Sequence, residues 1–139
     1  MEEELVKIKR MIDANFNRLR EGLRVVEDIA RFVLDNKKLT KDLKNLRADI
    51  GQIESKFDFT SSRDTQNDEG KQLNSELELS RNSVIDIVKA NLKRTEESLR
   101  VLEEAFKMIE PEISLKIKAL RYRSYEIEKN MMERLKNHG

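Results

Sequence analysis

Cysteine is absent from the 139 residues, and histidine occurs once, as His138 beside the C-terminus. The first absence excludes disulfides and thiolate chemistry and is compatible with a reducing compartment. The second argues against histidine acid–base catalysis and His-rich metal sites. There is no tryptophan, and the aromatics are two tyrosines and five phenylalanines, few for a surface that stacks RNA bases. Charge of one sign is lacking as well. Twenty-eight basic residues against 27 acidic ones leave +1, which gives no general attraction to nucleic acid or anionic membranes, local basic clusters aside. No apolar run is long enough for a signal peptide or a membrane span, so the expected location is cytoplasmic. The length suits one domain, 1–139, able to bury roughly 65–70% of its unfolded surface.

What the chain does have is a repeat. Asp13 to Phe32 (DANFNRLREGLRVVEDIARF) returns at Lys89 to Met108 as KANLKRTEESLRVLEEAFKM. At an offset of 76, eight of twenty residues are identical: Ala14/Ala90, Asn15/Asn91, Arg18/Arg94, Glu21/Glu97, Leu23/Leu99, Arg24/Arg100, Val25/Val101 and Glu27/Glu103. Unrelated helices of ordinary composition share only ~1–2. The repeat is an internal duplication. Five of the eight identities are polar or charged, whereas a purely structural repeat needs mainly its apolar pattern.

Helix periodicity runs from Glu3 to Leu34 through Leu5, Ile8, Met11/Ile12, Leu19, Leu23, Val26, Ile29/Ala30 and Val33. After the polar connection Asp35 to Lys38, Leu39, Leu43, Leu46, Ile50, Ile53 and Phe57 predict a second helix, antiparallel to the first because the link is short. Thr60 to Lys71 (TSSRDTQNDEGK) is polar and aperiodic, and reads as a functional loop or a crossover. With no core to dock on, it is expected to be mobile until a ligand orders it. Ser75 and Glu78 have capping-box spacing and place the start of a third helix, which runs through Leu77, Val84, Ile87/Val88, Leu99, Leu102 and Phe106 to about Ile109. Pro111 suits the first turn of a fourth, with the stripe Ile113, Ile117, Leu120, Ser124, Ile127, Met131 and Leu135. Leu46-Arg47 aligns with Leu120-Arg121, and Ile53-Glu54 with Ile127-Glu128. The expected fold is all-α: two long antiparallel helical hairpins, 3–57 and 75–137, joined by a polar loop, 58–74, as a four-helix bundle.

Helical geometry orients the repeated polar groups. With Asn15 at zero, Val26 lies at about +20°, Gly22 at about −20° and Arg18 at about −60°. Asn15 and Arg18, with Asn91 and Arg94, are therefore expected to face the seam, where unpaired polar groups are costly. Pairing of Arg18 and Arg94 with Glu21 and Glu97, or with carboxylates across the bundle, would satisfy them internally. A small residue at Gly22/Ser98 instead suggests a cavity beside the arginine. Arg24 lies at about 180° and Glu27 at about 120°, so both are expected to leave the core. They form either an exposed ladder, Glu21/Arg24/Asp28 and Glu97/Arg100/Glu104, or a subunit contact. A slim bundle encloses little concave surface, which favours a homo-oligomer, most simply a dimer, with Arg24 and Arg100 near the contact.

Standard chemistries fall away. Gly70-Lys71 has Thr65 where a P-loop needs its first glycine and Gln72 where it needs Ser or Thr. No Glu-x-x-His pair exists for a carboxylate-bundle metal site. Arginines, carboxylates and a loop rich in Ser, Thr, Arg and Asp remain, the parts that hold phosphates and magnesium.

The motifs D-A-N-x-N-R-x-x-E-G-L-R-V-x-E-D-x-x-R-F, S-S-R-D-T-x-x-D-x-G, A-N-x-x-R-x-x-E-x-L-R-V-L-E-E and L-R-Y-x-x-Y-E, in that order from Asn15 to Glu126, resemble a family. It is the small all-helical family of hydroxymethylpyrimidine-phosphate kinases, found alone or fused to thiamin-phosphate synthase. Glu69 departs from the pattern, which has a small apolar residue before the loop glycine. The resemblance implies transfer of the ATP γ-phosphoryl group to hydroxymethylpyrimidine monophosphate, giving the diphosphate for thiamin synthesis, with ATP and magnesium required. It implies Arg18, Arg94, Arg63 and Arg121 as phosphate ligands, with Arg24, Arg47 and Arg100 in second place beside Ser61 and Ser62. Asp64 and Asp68, with Glu21 and Glu97, become the magnesium candidates, and Asn15 and Asn91 the groups that hydrogen-bond the aminopyrimidine edge. The competing reading is a non-catalytic helical scaffold or dimerisation module. RNA binding is a third, weakened by the neutral charge and few aromatics.

Overall fold

A computed structural model describes residues 2–72 and 80–138. The first helix, α1, spans Glu2–Asp28 and opens on Glu2, Glu3 and Glu4, acidic groups that suit a helix N-terminus. It continues as a π-helical turn, Ile29–Val33. Leu34 N donates to Ile29 O at 3.0 Å and Asn36 N to Ala30 O at 2.9 Å. This wider turn slips the apolar register by one position. Leu34 is therefore buried, and Val33, expected in the stripe, is exposed, as is Leu5 near the other end.

Asp35 turns the chain in the left-handed region, φ 49°, and the Asn36 side-chain Oδ1 accepts from Leu39 N at 2.9 Å. That cap starts α2, Lys37–Glu54, which buries Leu39, Leu43, Leu46, Ile50 and Ile53. Two tight turns follow the helix, from Lys56 N to Ile53 O and from Phe57 N to Glu54 O. Phe57 and Phe59 pack partly buried on the core just before the polar loop and anchor the segment that leads into that loop. It contains 3₁₀ turns at Thr60–Ser62 and Glu69–Gln72, and Glu69 is exposed, so its departure from the family pattern disturbs no packing.

The third helix, α3, is Val84–Ile109, not a continuous helix from residue 75. Ser83 is extended (φ −156°, ψ 166°) and its hydroxyl accepts from Asp86 N at 3.2 Å. Residues 80–83 are rich in Ser and Asn, which favour caps over helix interiors. The Ser75–Glu78 box and Leu77 lie outside the described residues. Glu110 is extended ahead of Pro111, as the residue before a proline prefers, and α4 runs Pro111–His138. All seven positions of its predicted stripe are buried.

The protein is all-helical among its described residues, with four long helices sharing one apolar core. Helix α1 packs on α2 and α3, and α4 packs on α3 and α2. Phe16 meets Phe106, and Gly22 meets Thr95 and Asn91, so α1 and α3 run antiparallel. At Gly22 a Cβ would lie 2.9 Å from Thr95 Oγ1 and 3.0 Å from the Asn91 carbonyl. The small residue therefore permits a close helix crossing and does not open a cavity. Three buried hydroxyls bond backbone carbonyls: Thr95 donates to Asn91 O and Ser124 to Arg121 O within their own helices, and Ser114 to Glu103 O between α4 and α3.

Candidate functional site

The N-terminal half of α1 and the polar loop enclose a cavity of about 430 Å³. Helical spacing puts Arg10, Arg18 and Glu21 on its wall, and the loop supplies Arg63, Asp64 and Asp68 opposite. Arg63 is clamped to Asp13 by two bonds, Nε–Oδ2 at 2.7 Å and Nη2–Oδ1 at 3.0 Å. Asp13 raises the Arg63 pKa, so the guanidinium stays charged. Asn67 donates to both Asp64 oxygens, at 3.1 and 2.8 Å. Asp68 Oδ1 accepts from Gly70 N at 2.9 Å. Asn15 is buried and donates to Met11 O at 2.8 Å, which leaves its carbonyl oxygen available. Arg10 and Arg18 have no hydrogen-bond or ion-pair partner among the described residues. The cavity thus carries two uncommitted guanidinium groups beside a third held by one carboxylate.

Arg18 is exposed, contrary to the seam position expected of it, and so is Arg94. The buried face of α1 is centred near Ile12, Leu19 and Val26 rather than on Asn15. Arg18 lies about 100° from that centre, at the edge of the stripe. The same shift corrects Glu27, expected to leave the core: its side chain is only 2% exposed. Arg47 Nε lies 3.0 Å from Glu27 Oε1, and the second copy repeats this with Arg121 Nε 2.8 Å from Glu103 Oε2. Burial alone would raise the Glu103 pKa, but the Arg121 hydrogen bond and charge hold it below the usual carboxylate value.

The remaining candidates are dispersed. Arg24 pairs with Asp28 at 3.6 Å and Arg100 with Glu104 at 3.1 Å, the helix-face ladder without Glu21 or Glu97. Asn91 donates to Ile87 O at 2.8 Å, the exact counterpart of Asn15. Neither Asn91, Arg94, Glu97, Ser61 nor Ser62 lines the loop cavity. Among the described residues the loop borders the cavity of the first copy.

Sequence comparison of the two copies missed Arg10 and Asp13, because Asp86 and Lys89 replace them in the second copy. It also missed a second cavity of about 390 Å³, lined by Phe16, Phe57, Phe59, Arg20, Glu54 and Asp58 among others. Arg20 donates to Glu54 and to Asn17 there. Thr60 donates through its hydroxyl and its backbone N–H to Asp58 and lowers the Asp58 pKa. The counterpart of Arg20–Glu54 in the second copy is Glu96 beside Glu128. Glu96 Oε2 is buried without a hydrogen-bond partner among the described residues. Burial first, and the Glu128 charge second, push the Glu96 pKa up to about 7.

Residues 10–130 match the ThiD2 family, and the chain belongs to that family. It is 44% identical over 125 residues to a thiamine-phosphate synthase of Synechocystis sp., covering 90% of this chain and 36% of that protein. A thiamine-phosphate synthase of Nostoc punctiforme is 39% identical over 125 residues, again 90% of this chain and 35% of that one. One from Synechococcus sp. (strain CC9605) is 40% identical over 122 residues, 88% and 34%. The chain thus spans about a third of the length of these relatives. No solved structure matches it.

Proposed function

We propose that this chain acts in thiamin synthesis as a kinase, transferring the ATP γ-phosphoryl group to hydroxymethylpyrimidine monophosphate, on a four-helix bundle made of two duplicated hairpins. The observation that carries the reading is the loop cavity, where the uncommitted Arg10 and Arg18 face Asp64 and Asp68 across a space closed by Arg63. A fully buried cation would need a partner; these arginines are solvent-accessible cations held in a concave site, where oxyanions can bind them in forked pairs.

The acceptor phosphate has a second pKa of ~6, so its oxygen is a nucleophile without a general base, which suits a chain with no histidine near the cavity. The work left to the protein is to position two anions and offset their charge. Arg18 and Arg10 receive donor phosphate oxygens. Arg63, turning from Asp13, stabilises the charge of the transferring group.

Among the described residues no three acidic, histidine or cysteine side chains converge on one point. Magnesium commonly binds through one or two carboxylates together with substrate phosphates, and Asp68, with one oxygen uncommitted, and Asp64 suit that role. When bound, the ion supplies charge neutralisation across the donor phosphates.

ADP release from ATP and magnesium with the pyrimidine monophosphate as acceptor tests the activity; turnover no higher than without acceptor rejects it. The scaffold reading is favoured at Arg47 and Arg121, whose guanidinium groups are satisfied by buried glutamates. A homodimer belongs to the same proposal. Because Arg24 and Arg100 are already paired on their own helices, the contact is better sought at Phe32 and Met108, equivalent by the 76-residue offset and both more than half exposed. Light scattering that finds only monomer at micromolar concentration, ligands present, counts against it.

A further inference from the structure

The two cavities share a wall. Asp13 and Arg63 line both, and their ion pair is the partition between them. Both sides expose more polar than apolar surface, and they differ in whether aromatic rings line them. The larger chamber has no aromatic residue in its lining, only charged and polar groups with Met11 and Ala14. The smaller one is lined by Phe16, Phe57 and Phe59, three of the five phenylalanines in the chain. A fourth, Phe106, backs it: ring centroids lie 5.1 Å from Phe57 and 6.2 Å from Phe16. Its rim carries two oriented carboxylates, Glu54 held by Arg20 and Asp58 held by Thr60.

Resting on the kinase reading, we propose that the chambers are the two halves of one site. The phenylalanine chamber takes the aminopyrimidine ring of the acceptor, and the polar chamber takes the triphosphate of the donor. An aromatic wall favours a planar ring, and a rim carboxylate accepts from an exocyclic amine. The length of each substrate's arm decides which ring enters. In the acceptor, one methylene separates the pyrimidine from its phosphate, so the ring must sit directly beside the point of transfer. In ATP, a ribose and two further phosphates separate adenine from the γ-phosphorus, so adenine lies away from the partition. Only the short-armed acceptor fits a chamber whose aromatic wall adjoins Arg63.

The transfer then occurs across the partition. An acceptor phosphate oxygen forms a bond to the γ-phosphorus while the bond from that phosphorus to the β–γ bridging oxygen breaks. The electron pair leaves on ADP, and the ionised acceptor has no proton to give up. Among the described residues Arg63 is the one guanidinium that lines both chambers, so it contacts oxygens of both partners.

Binding measured separately for each substrate tests the assignment independently of turnover. Calorimetric titrations with hydroxymethylpyrimidine monophosphate alone and with magnesium–ADP alone are made on wild type, Phe59→Leu, Asp58→Asn and Arg18→Gln. Phe59→Leu and Asp58→Asn are expected to weaken the pyrimidine by about tenfold, the worth of one lost pocket contact, with ADP changed less than twofold. Arg18→Gln is expected to do the reverse. Asp58 is exposed, so its substitution does not threaten the fold, and circular dichroism controls for Phe59→Leu. Weakened ADP binding in Phe59→Leu and Asp58→Asn, with the pyrimidine unaffected, would overturn the assignment even if the enzyme turns over. Absence of turnover in a wild type that binds both ligands as assigned would reject the kinase reading alone.

Discussion

Arg121 Nε sits 2.8 Å from Glu103 Oε2, and the contact is duplicated by Arg47 and Glu27 in the first hairpin. Glu103 and Arg121 are 5% and 12% exposed, and the rings of Tyr122 and Tyr125 lie beside the Arg121 guanidinium. Such a pair is intermediate between exposed and deeply buried ones. Arg121→Met, which strands the carboxylate, is expected to lower stability by about 2–3 kcal/mol. Adding Glu103→Leu should recover much of that loss. Urea unfolding of the single and double variants checks it, and a double variant no better than the single one would contradict the stranded-charge argument.

Glu103 and Glu96 are expected to give opposite pH dependences. The lowered pKa of Glu103 contributes stability above its unfolded value, which is lost as pH falls through the folded one. The raised pKa of Glu96 works the other way. Its contribution is fully present below the unfolded value of about 4.3 and is lost as pH rises to about 7. Glu96→Gln should therefore stabilise the protein at pH 8 and leave it unchanged near pH 4. Glu96→Arg should stabilise it further at pH 8 by recreating the Arg20–Glu54 arrangement against Glu128. Thermal melts across pH 4–8 report both, and a wild-type profile unaltered by Glu96→Gln would remove the carboxylate pair as its cause.

Gly22→Ala is expected to destabilise the protein despite the ~1 kcal/mol that alanine gains in a helix interior. The new methyl would meet Thr95 Oγ1 and the Asn91 backbone carbonyl at about 3 Å, and overpacking of this kind costs ~1–3 kcal/mol. Thr95→Ala in the same chain should relieve the side-chain part only. A melting temperature at or above wild type for Gly22→Ala would show that the two helices have room to separate.

Selectivity follows from Arg63, which turns from Asp13 towards the acceptor phosphate and the transferring group. A site built for a phosphate can reject an analogue lacking it by ~10⁴-fold, because its own groups go unpaired. The free hydroxymethylpyrimidine alcohol should therefore be phosphorylated far more slowly than the monophosphate. Arg18→Lys keeps the charge and loses the fork, so activity should fall at least tenfold with unchanged helix content, whereas Arg94→Lys, outside the loop cavity, should be the milder change. Equal rates on the two acceptors would remove Arg63 from the acceptor phosphate, and a fully active Arg18→Lys would remove Arg18 from donor-phosphate binding.

Helices, repeat and most of the core were legible in the sequence because period and spacing are local properties. Leu39 to Ile53 and Ile113 to Leu135 fall where their spacing predicts, and Pro111 begins α4. The duplicated Asn15 and Asn91 and the paired Arg47 and Arg121 could be picked out by repetition, although repetition did not say what they do. Their roles required partners from distant parts of the chain: Arg47 and Arg121 hold buried glutamates, and Gly22 serves a helix crossing. A rotation of the buried face by about 40° decided that Arg18 is exposed and Glu27 buried, since both lie near the edge of the apolar stripe. A π turn moved burial from Val33 to Leu34, a change that an assumed 100° period could not register. Tertiary structure alone decided the site. The loop folds over one copy of a nearly symmetrical pair and joins Arg63 to Asp13, 50 residues away, so the cavity draws on residues that the duplication did not preserve.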